Sequence, residues 1–441
     1  MLLRHTPARL LLFIADCSIL FGSLYLSLFI RNKELPSTSE YLTFIPPFIV
    51  IILVTIAIFY SYGLYDKPTL RLIRELSTRI ITSQVLAAVC AILFFYTLPY
   101  LGIAPKTILL LYIIISSVAM NIWRHHAFSV VLNYKKQKSV IIGSGTTFHN
   151  LVEELSRNPH TGITLISTID VDTYDMRKLE NVLTTTKPNS VIIDLRDERI
   201  KPHFDAIYKG LFEGQAVLDI VDVYEDIFDM VPLEIINQEW VFRSARVSRG
   251  SDLPKRILDI TLALPAYIIS LVVYPFVYIA IKLEDGGPLF YKHARVGRHG
   301  EHIMIYKFRS MENKPTNELN ETKKISRIGN ILRKTRVDEL PQLWNVIRGD
   351  VSLIGPRPES PNLVAEYSKT IPFYNVRHVV RPGLSGWAQV QQHEAPKFGI
   401  DIKQTSTKLS YDLYYLEHSN FLLDCAIILR TFKVLLSKSG V

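Results

Sequence analysis

Four long apolar runs open the chain, at 10–30, 44–62, 80–98 and 108–128. Each comes close to the roughly 20 residues that a helix needs to cross a bilayer. The polar segments between them are unequal in charge. Arg4 and Arg9 precede the first run, Lys67, Arg71, Arg74 and Arg79 lie around the gap between the second and third, and Arg124, Lys135, Lys136 and Lys138 close the fourth. The opposite side has Arg31, Lys33 and Lys106. Because positive residues favour the cytoplasmic side, the N-terminus and everything after Lys138 are expected in the cytoplasm, with a four-helix transmembrane bundle over 1–134. The first run is too long for a cleaved signal peptide and has no small-residue cleavage site, so it is expected to be retained.

After Lys138 the pattern changes. Val140-Ile141-Ile142 runs into Gly143-Ser144-Gly145, a helical stretch follows at 149–157, and further strand-like runs stand at 163–169, 190–194 and 216–221. Short apolar strands alternating with helices predict a small parallel sheet and a Rossmann-like α/β domain over 135–240. Gly143 and Gly145 are candidate nucleotide-binding positions, and Asp170 could meet a ribose hydroxyl. Phe148, however, stands where the third small residue of that fingerprint belongs, so a structural or regulatory role is favoured over nucleotide binding. The arginine-bearing stretch 241–254 reads as a linker. A fifth uncharged run, 260–281, is flanked by Lys255, Arg256 and Lys282 and interrupted by Pro265 and Pro275. Cations at both ends favour entry and return on one side, a re-entrant helix over about 255–283, over a simple crossing. The rest of the chain, 255–441, is then a separate C-terminal domain.

Candidate chemistry concentrates beyond Glu284. In the run from Ile325 to Arg336, Ile325, Ile328 and Leu332 recur at helical spacing beside Arg327, Arg333, Lys334 and Arg336. That suits an interfacial amphipathic helix, although a helix packed on a soluble core has the same pattern. Leu340, Leu343, Trp344 and Ile347 continue it. Between the two stretches stand Asp338 and Glu339, followed by Pro341. Neighbours on a helix diverge by about 100°, so the two carboxylates cannot share one vector, but they can flank one metal. The division of labour favoured here makes Asp338 a nucleophile on phosphorus and Glu339 a Mg²⁺ ligand; an acidic first helical turn is the plainer alternative. Pro356 and Pro358 restrict the backbone on both sides of Arg357, presenting a guanidinium suited to phosphate. Lys307 and Arg309 alternate along a probable strand, and Arg295 and Arg381 lie in glycine-bearing turns. With Arg333, these are the candidate phosphate contacts.

The composition agrees. Of 441 residues, 48% are hydrophobic, and the net charge of +9 fits anionic lipid or a polyanionic substrate without requiring nucleic acid. Cys17, Cys90 and Cys425 are too far apart for a disulfide framework or metal cluster. Histidines 293, 299, 302, 378 and 393 show no zinc spacing.

Lys255-Arg256-x-x-Asp259, Asp285-Gly-Gly-Pro288, Arg295-Val-Gly-Arg298, Tyr306-Lys-Phe-Arg-Ser-Met311, Asp338-Glu-Leu-Pro-Gln342, Gly349 through Pro358 and Arg381-Pro-Gly-Leu-Ser-Gly386 follow one another in the order of a known family. They resemble the bacterial polyprenyl-phosphate hexose-1-phosphate transferases, the monotopic phosphoglycosyl transferases, and the front half resembles the family's long form. The resemblance implies an inner-membrane enzyme that acts in two steps. The aspartate matching Asp338 attacks the sugar-bearing phosphate of a UDP-sugar and releases UMP; undecaprenyl phosphate then takes the phosphosugar, the first membrane step of O-antigen, capsule or exopolysaccharide synthesis. It further implies Mg²⁺ at the position of Glu339, Arg357 between its prolines Pro356 and Pro358, structural roles for Asp259 and Pro275, and a re-entrant helix. One departure is that the family breaks this helix at Ser-Pro, whereas this chain has Tyr274-Pro275 and an extra Pro265. Sugar choice is expected in 391–408, and the bundle and α/β domain leave surface enough for a homodimer. A membrane-tethered nucleotide-sugar dehydratase would need a Tyr-x-x-x-Lys after its glycine loop, but Tyr134 to Lys138 precedes it. A non-catalytic membrane scaffold or nucleotide sensor would not need the acidic pair.

Overall fold

In the computed structural model, which describes residues 6–65, 70–97, 106–132, 136–158, 161–247, 252–312, 324–392 and 401–436, the four apolar runs fold as α1 (Thr6–Asn32), α2 (Thr38–Ser61), α3 (Leu70–Thr97) and α4 (Lys106–Leu132). Each contains a stretch of 21 to 24 residues long and apolar enough to span a membrane. Leu20, Leu24, Leu28, Phe48, Phe59 and Ile80 are buried between them, while Ile14, Leu53, Val85, Ile92 and Val118 face outward. A bundle apolar on its outside as well as its inside suits lipid. Arg4, Lys67 and Lys135 of the charge pattern lie outside the described residues.

One ion pair sits inside this bundle. Asp16 of α1 and Arg124 of α4 are both fully buried and bonded to each other. Tyr65 donates its hydroxyl to Asp16 at 2.7 Å, and Arg124 donates to the carbonyl of Leu64 at 2.7 Å. The pair therefore ties the first and last helices to the turn that ends α2.

The same compact unit, Met1–Phe228, contains a four-stranded sheet: β1 (Gln137–Gly143), α5 (Gly145–Arg157), β2 (Ile163–Asp170), α6 (Leu179–Thr186), β3 (Ser190–Ile193), α7 (Phe204–Phe212), β4 (Ala216–Asp219) and α8 (Ile220–Phe228). The strand order is β2-β1-β3-β4, parallel throughout. Central β1 buries Val140, Ile141 and Ile142 completely, as a strand covered on both faces must. Two boundaries differ from expectation. The helix after the glycine turn begins at Gly145, and β4 stops at Asp219, whose side chain accepts from the Val221 amide at 3.0 Å as the chain turns into α8.

The second unit runs from Asp229 to Val441. It includes α9 (Gln238–Val247), which the sequence assigned partly to the α/β domain and partly to a linker. Trp387 donates to the carbonyl of Asp229 at 2.9 Å, and Val231 donates to Ser410 at 3.1 Å, so this segment is fastened to the C-terminal unit. Residues 248–251 of the linker lie outside the described residues. Then come α10 (Asp252–Leu271) and α11 (Tyr274–Asp285), bent by 51° at their junction. Pro275 lies in the first turn of α11, where its missing N–H costs nothing, whereas Pro265 lies within α10 without ending it.

A hairpin of β5 (Phe290–Val296) and β6 (His302–Phe308) packs on this helix pair. Ala263 of α10 meets Ile305 and Val346, and Val277 and Ile281 of α11 meet Phe308 and Leu332. The rest follows as α12 (Arg327–Lys334), α13 (Gln342–Arg348), β7 (Ser352–Ile354), α14 (Pro361–Thr370), β8 (Gly383–Ser385), α15 (Trp387–Gln391), α16 (Ile402–His418) and α17 (Phe421–Leu436). Along the apolar stripe that α12 carries, Ile328 and Leu332 turn inward onto α11 and β6, as in the core-packed alternative, and Ile331, with Ile325 before the helix, is exposed. Ser326 caps this helix by accepting from the Gly329 amide at 2.9 Å.

Removing one member of a buried ion pair strands its partner, at a cost of about 3–5 kcal/mol, whereas an apolar replacement of both is often neutral. Asp16→Leu should therefore lower thermal stability of the full-length protein in detergent sharply, and Asp16→Leu with Arg124→Leu should recover most of it. A double variant that loses the sum of the two single losses would show that the pair is not coupled.

Candidate active site

Arg336 adopts φ of 55°, a left-handed conformation that costs a non-glycine residue about 1 kcal/mol or more. It reverses the chain after α12 into a single tight turn, Val337–Glu339, directly before α13. The acidic pair thus lies in a turn, not within the helix as its 3.6-residue pattern suggested. Asp338 is 8% exposed, and Glu339 is half-buried beside it.

Three cations converge on Glu339. Lys307, at the end of β6, donates to Oε1 at 2.8 Å. The Arg357 guanidinium approaches the same oxygen at 3.5 Å, and Arg336 lies 4.0 Å from Oε2. Burial pushes the Glu339 carboxyl up, but the charges of Lys307 and Arg357 and the Lys307 hydrogen bond outweigh it, lowering the pKa to about 2. Asp338 moves the opposite way: burial and the Glu339 charge raise it, with Lys307 and Arg333 opposing. Two adjacent carboxylates are thereby made unlike, one held ionised and the other more basic.

Arg357 owes its position to a backbone junction. Strands β7 and β8 pair in parallel, Ser352 with Gly383 and Ile354 with Ser385. Gly383 donates to the Pro356 carbonyl at 2.9 Å, and Gly355 donates to Ser385 at 2.8 Å. A Cβ on Gly355 would come 2.4 Å from the Arg381 carbonyl oxygen, so only glycine fits. Asp259 of α10 braces this junction from below, accepting from the Ser352 hydroxyl at 2.9 Å and the Leu353 amide at 3.0 Å.

The remaining candidates divide. Arg333 donates to the Ser310 hydroxyl at 2.8 Å and acts on Asp338 through charge. Arg295 lies behind the Arg357 loop, donating to the Pro358 carbonyl at 3.3 Å. Arg381 enters the junction through its backbone. Arg309 is a correction: it forks onto both oxygens of Asp285 and donates to the Pro288 carbonyl at 3.0 Å, so it ties the end of α11 to the hairpin rather than facing the acidic pair. Arg336 as a partner of Glu339 was not singled out from sequence, although its place two residues before Asp338 was a signal.

No group of three or more His, Cys, Asp or Glu side chains that could hold a metal occurs among the described residues. Asp338 and Glu339 do fit a smaller demand, since Mg²⁺ is commonly held by one or two carboxylates with water and substrate phosphate completing the octahedron. A cavity of about 500 Å³, lined by His299, His302, His378 and Val364 among others, lies elsewhere, at the turn of the hairpin about 17 Å along β6 from Lys307. Burial and the Arg377 charge lower His378 to about 4.

At Gly143 a Cβ would meet the Phe148 ring at 3.1 Å, so that phenylalanine packs onto the glycine turn. Arg199 there donates to Ser144 at 2.6 Å and pairs with Asp172 and Asp197, and Arg196 pairs with Asp194 and Asp219.

Residues 250–438 match the bacterial sugar transferase family, and residues 60–204 match a CoA-binding domain. The chain is 32% identical over 270 residues to the UDP-N-acetylgalactosamine-undecaprenyl-phosphate N-acetylgalactosaminephosphotransferase of Aeromonas hydrophila, a match spanning 58% of this chain and 61% of that relative, less than two thirds of its length. It is 34% identical over 194 residues to an uncharacterized sugar transferase of Bacillus subtilis (strain 168), covering 42% of this chain and 89% of the relative. It is 28% identical over 347 residues to the undecaprenyl-phosphate galactose phosphotransferase of Salmonella typhimurium, covering 69% of each.

Gly355→Ala should destabilise the protein by about 1–3 kcal/mol, since the new methyl must displace backbone rather than a flexible side chain. Thermal unfolding of the purified protein measures this; unchanged stability would mean that the β7–β8 junction is looser than described.

Proposed function

The chain belongs to the bacterial sugar transferase family, and from that premise we propose that it transfers a sugar-1-phosphate from a UDP-sugar to undecaprenyl phosphate, releasing UMP. The supporting observation is the turn that holds buried Asp338 beside Glu339, with Lys307 and Arg357 converging on it. An Asp338 oxygen attacks the sugar-bearing phosphorus, the bond from that phosphorus to the UMP oxygen breaks, and a phosphosugar remains on the carboxylate. An oxygen of undecaprenyl phosphate then attacks the same phosphorus, and the bond to Asp338 breaks, restoring the carboxylate. No proton is gained or lost overall. The raised basicity of Asp338 makes it the stronger nucleophile once ionised, and Lys307 and Arg357 face the phosphate charge. Mg²⁺, held by Glu339 with Asp338 adjacent, would offset repulsion between carboxylate and diphosphate.

The lipid acceptor must reach this turn from the membrane. α10 and α11 support a re-entrant element: both of their ends are bonded to the same unit. Arg256 donates to the Val346 carbonyl at 2.6 Å, Lys255 to Asp424 at 2.9 Å, and Asp285 accepts from Arg309 at 2.8 Å. Between those anchors Ile257, Ile268, Ile269, Val272, Phe276 and Leu283 are exposed. A helix that crossed the bilayer would have ends in opposite aqueous phases. In this reading the unit lies on the cytoplasmic face of the bacterial inner membrane, as the distribution of positive residues favours. The α/β domain, with its all-parallel sheet, acts in this reading as a structural module, because the arginines near Gly143 and Gly145 are committed to aspartates and a pyrophosphate would meet an acidic edge.

Purified protein with Mg²⁺, undecaprenyl phosphate and a panel of UDP-sugars should release UMP with one or a few donors, and Asp338→Asn should abolish the release. Silence across a broad panel from folded protein would overturn the assignment.

Because Asp338 must be ionised to attack and its pKa is raised, activity should fall with decreasing pH above the ordinary carboxylate range. Lys307 lowers the pKa of both carboxylates, so Lys307→Met should move this acid limb to higher pH, seen in the pH profile of kcat/KM. A limb that stays put or moves down would show that another group sets it.

A further inference from the structure

Behind the loop that presents Arg357, a charged layer is buried that the proposed reaction does not use. Arg377 and Asp412 are 2% and 1% exposed. Arg377 Nη2 lies 2.7 Å from Asp412 Oδ2, its Nη1 donates to the Tyr374 hydroxyl at 2.8 Å, and Nη2 also donates to the backbone carbonyl of Arg357 at 3.0 Å. Beside it, Lys408 donates to Glu359, and Arg295 lies 3.8 Å from the same carboxylate. Lys408 and Asp412 are one turn apart on α16, so a single helix face supplies a partner to each pair.

Burying an ion pair costs several kcal/mol per ion, and well-packed apolar residues commonly serve stability as well or better. What apolar residues cannot do is donate to a carbonyl. Pro356 and Pro358 fix φ on each side of Arg357 and keep Arg357 itself extended, but leave the tilt of its two flanking peptides adjustable. Gly383 donates to the carbonyl of the peptide before it, that of Pro356, at 2.9 Å, and Arg377 donates to the carbonyl of the peptide after it. Because each peptide is planar, bonded carbonyls on both sides of its Cα set the direction in which the Arg357 side chain leaves the backbone. That direction carries its guanidinium to Glu339.

We propose that Arg377, clamped by Asp412 and Tyr374, is a positioning residue for Arg357, and that α16 is part of the phosphate-binding apparatus although it touches no substrate. The inference rests on the transfer reaction proposed above. Asp412→Asn keeps the shape and removes the charge that holds Arg377, so Arg357 loses its fixed approach to phosphate. A misplacement of about 1 Å is worth on the order of 100-fold in rate.

The test is a double-mutant cycle on the full-length protein in lipid nanodiscs, with UMP release measured as kcat and KM for Asp412→Asn, Arg357→Ala and the double variant. The expected result is a loss of about 100-fold in kcat/KM for Asp412→Asn in the wild-type background and no further loss once Arg357 is alanine. A structural defect alone would multiply, costing the same factor in both backgrounds, and that outcome overturns the proposal, as does full activity of Asp412→Asn. Where Asp412→Asn fails to fold, Tyr374→Phe removes only the hydroxyl that Arg377 bonds and carries the same comparison, with an expected loss of about tenfold. An inactive wild-type protein would overturn the reaction itself, and this inference with it; an active wild type with multiplicative losses overturns only the inference.

Discussion

Two carboxylates next to each other in a tight, half-dry turn repel. At the effective dielectric near a protein surface, unit charges about 4 Å apart interact by roughly 4 kcal/mol, comparable to a large share of a domain's stability. Much of the C-terminal unit is arranged around offsetting that repulsion at Asp338 and Glu339. The hairpin delivers Lys307 from one side, the β7–β8 junction delivers Arg357 from another, and the left-handed turn at Arg336 brings the pair under the basic end of α12. The result is asymmetric. Glu339 takes up the cations and is held ionised, which leaves Asp338 as the more basic of the two. A more basic carboxylate and a permanently charged neighbour thus arise from residues that differ by one methylene.

What the sequence made legible was what local periodicity and local chemistry encode. Apolar runs gave the bundle, strand-like runs gave the parallel sheet, and the acidic pair, Lys307 and Arg357 stood out by residue type and by proline placement. Long-range choices were not legible. Arg309 lies two residues from Lys307 and should share its face, but β6 ends at Phe308 and Asp285 captures Arg309 from across the hairpin. Amphipathicity told that α12 has an apolar side without telling that α11 covers it. Arg377 and Asp412 belong to no motif and meet only when the chain is folded. Trp240, buried at 2% exposure in a stretch that read as the end of a domain and the start of a linker, shows how one aromatic anchor outweighs a polar, arginine-rich composition.

The proposed reaction adds a second constraint, that a water-soluble donor and a lipid acceptor meet at one turn. The bent pair α10–α11 is packed along its inner side by the elements that build the site: Ala263 against Ile305 and Val346, Tyr274 edge-on to Phe308 with ring centroids 4.8 Å apart, and Asp259 under the β7–β8 junction. Any shift of these helices in depth would be felt at Lys307 and Arg357 through rigid neighbours.

That outer apolar side belongs to the C-terminal unit alone. A fragment beginning at Asp229 would leave the four-helix bundle behind and still carry Ile257, Ile268, Ile269, Val272, Phe276, Ile279 and Leu283 to the surface. Such a patch is far from the scattered single apolar residues that water tolerates. Truncation is therefore no route to a detergent-free enzyme: the fragment would have to be extracted, kept in amphiphile and crystallised or imaged as a membrane protein in its own right.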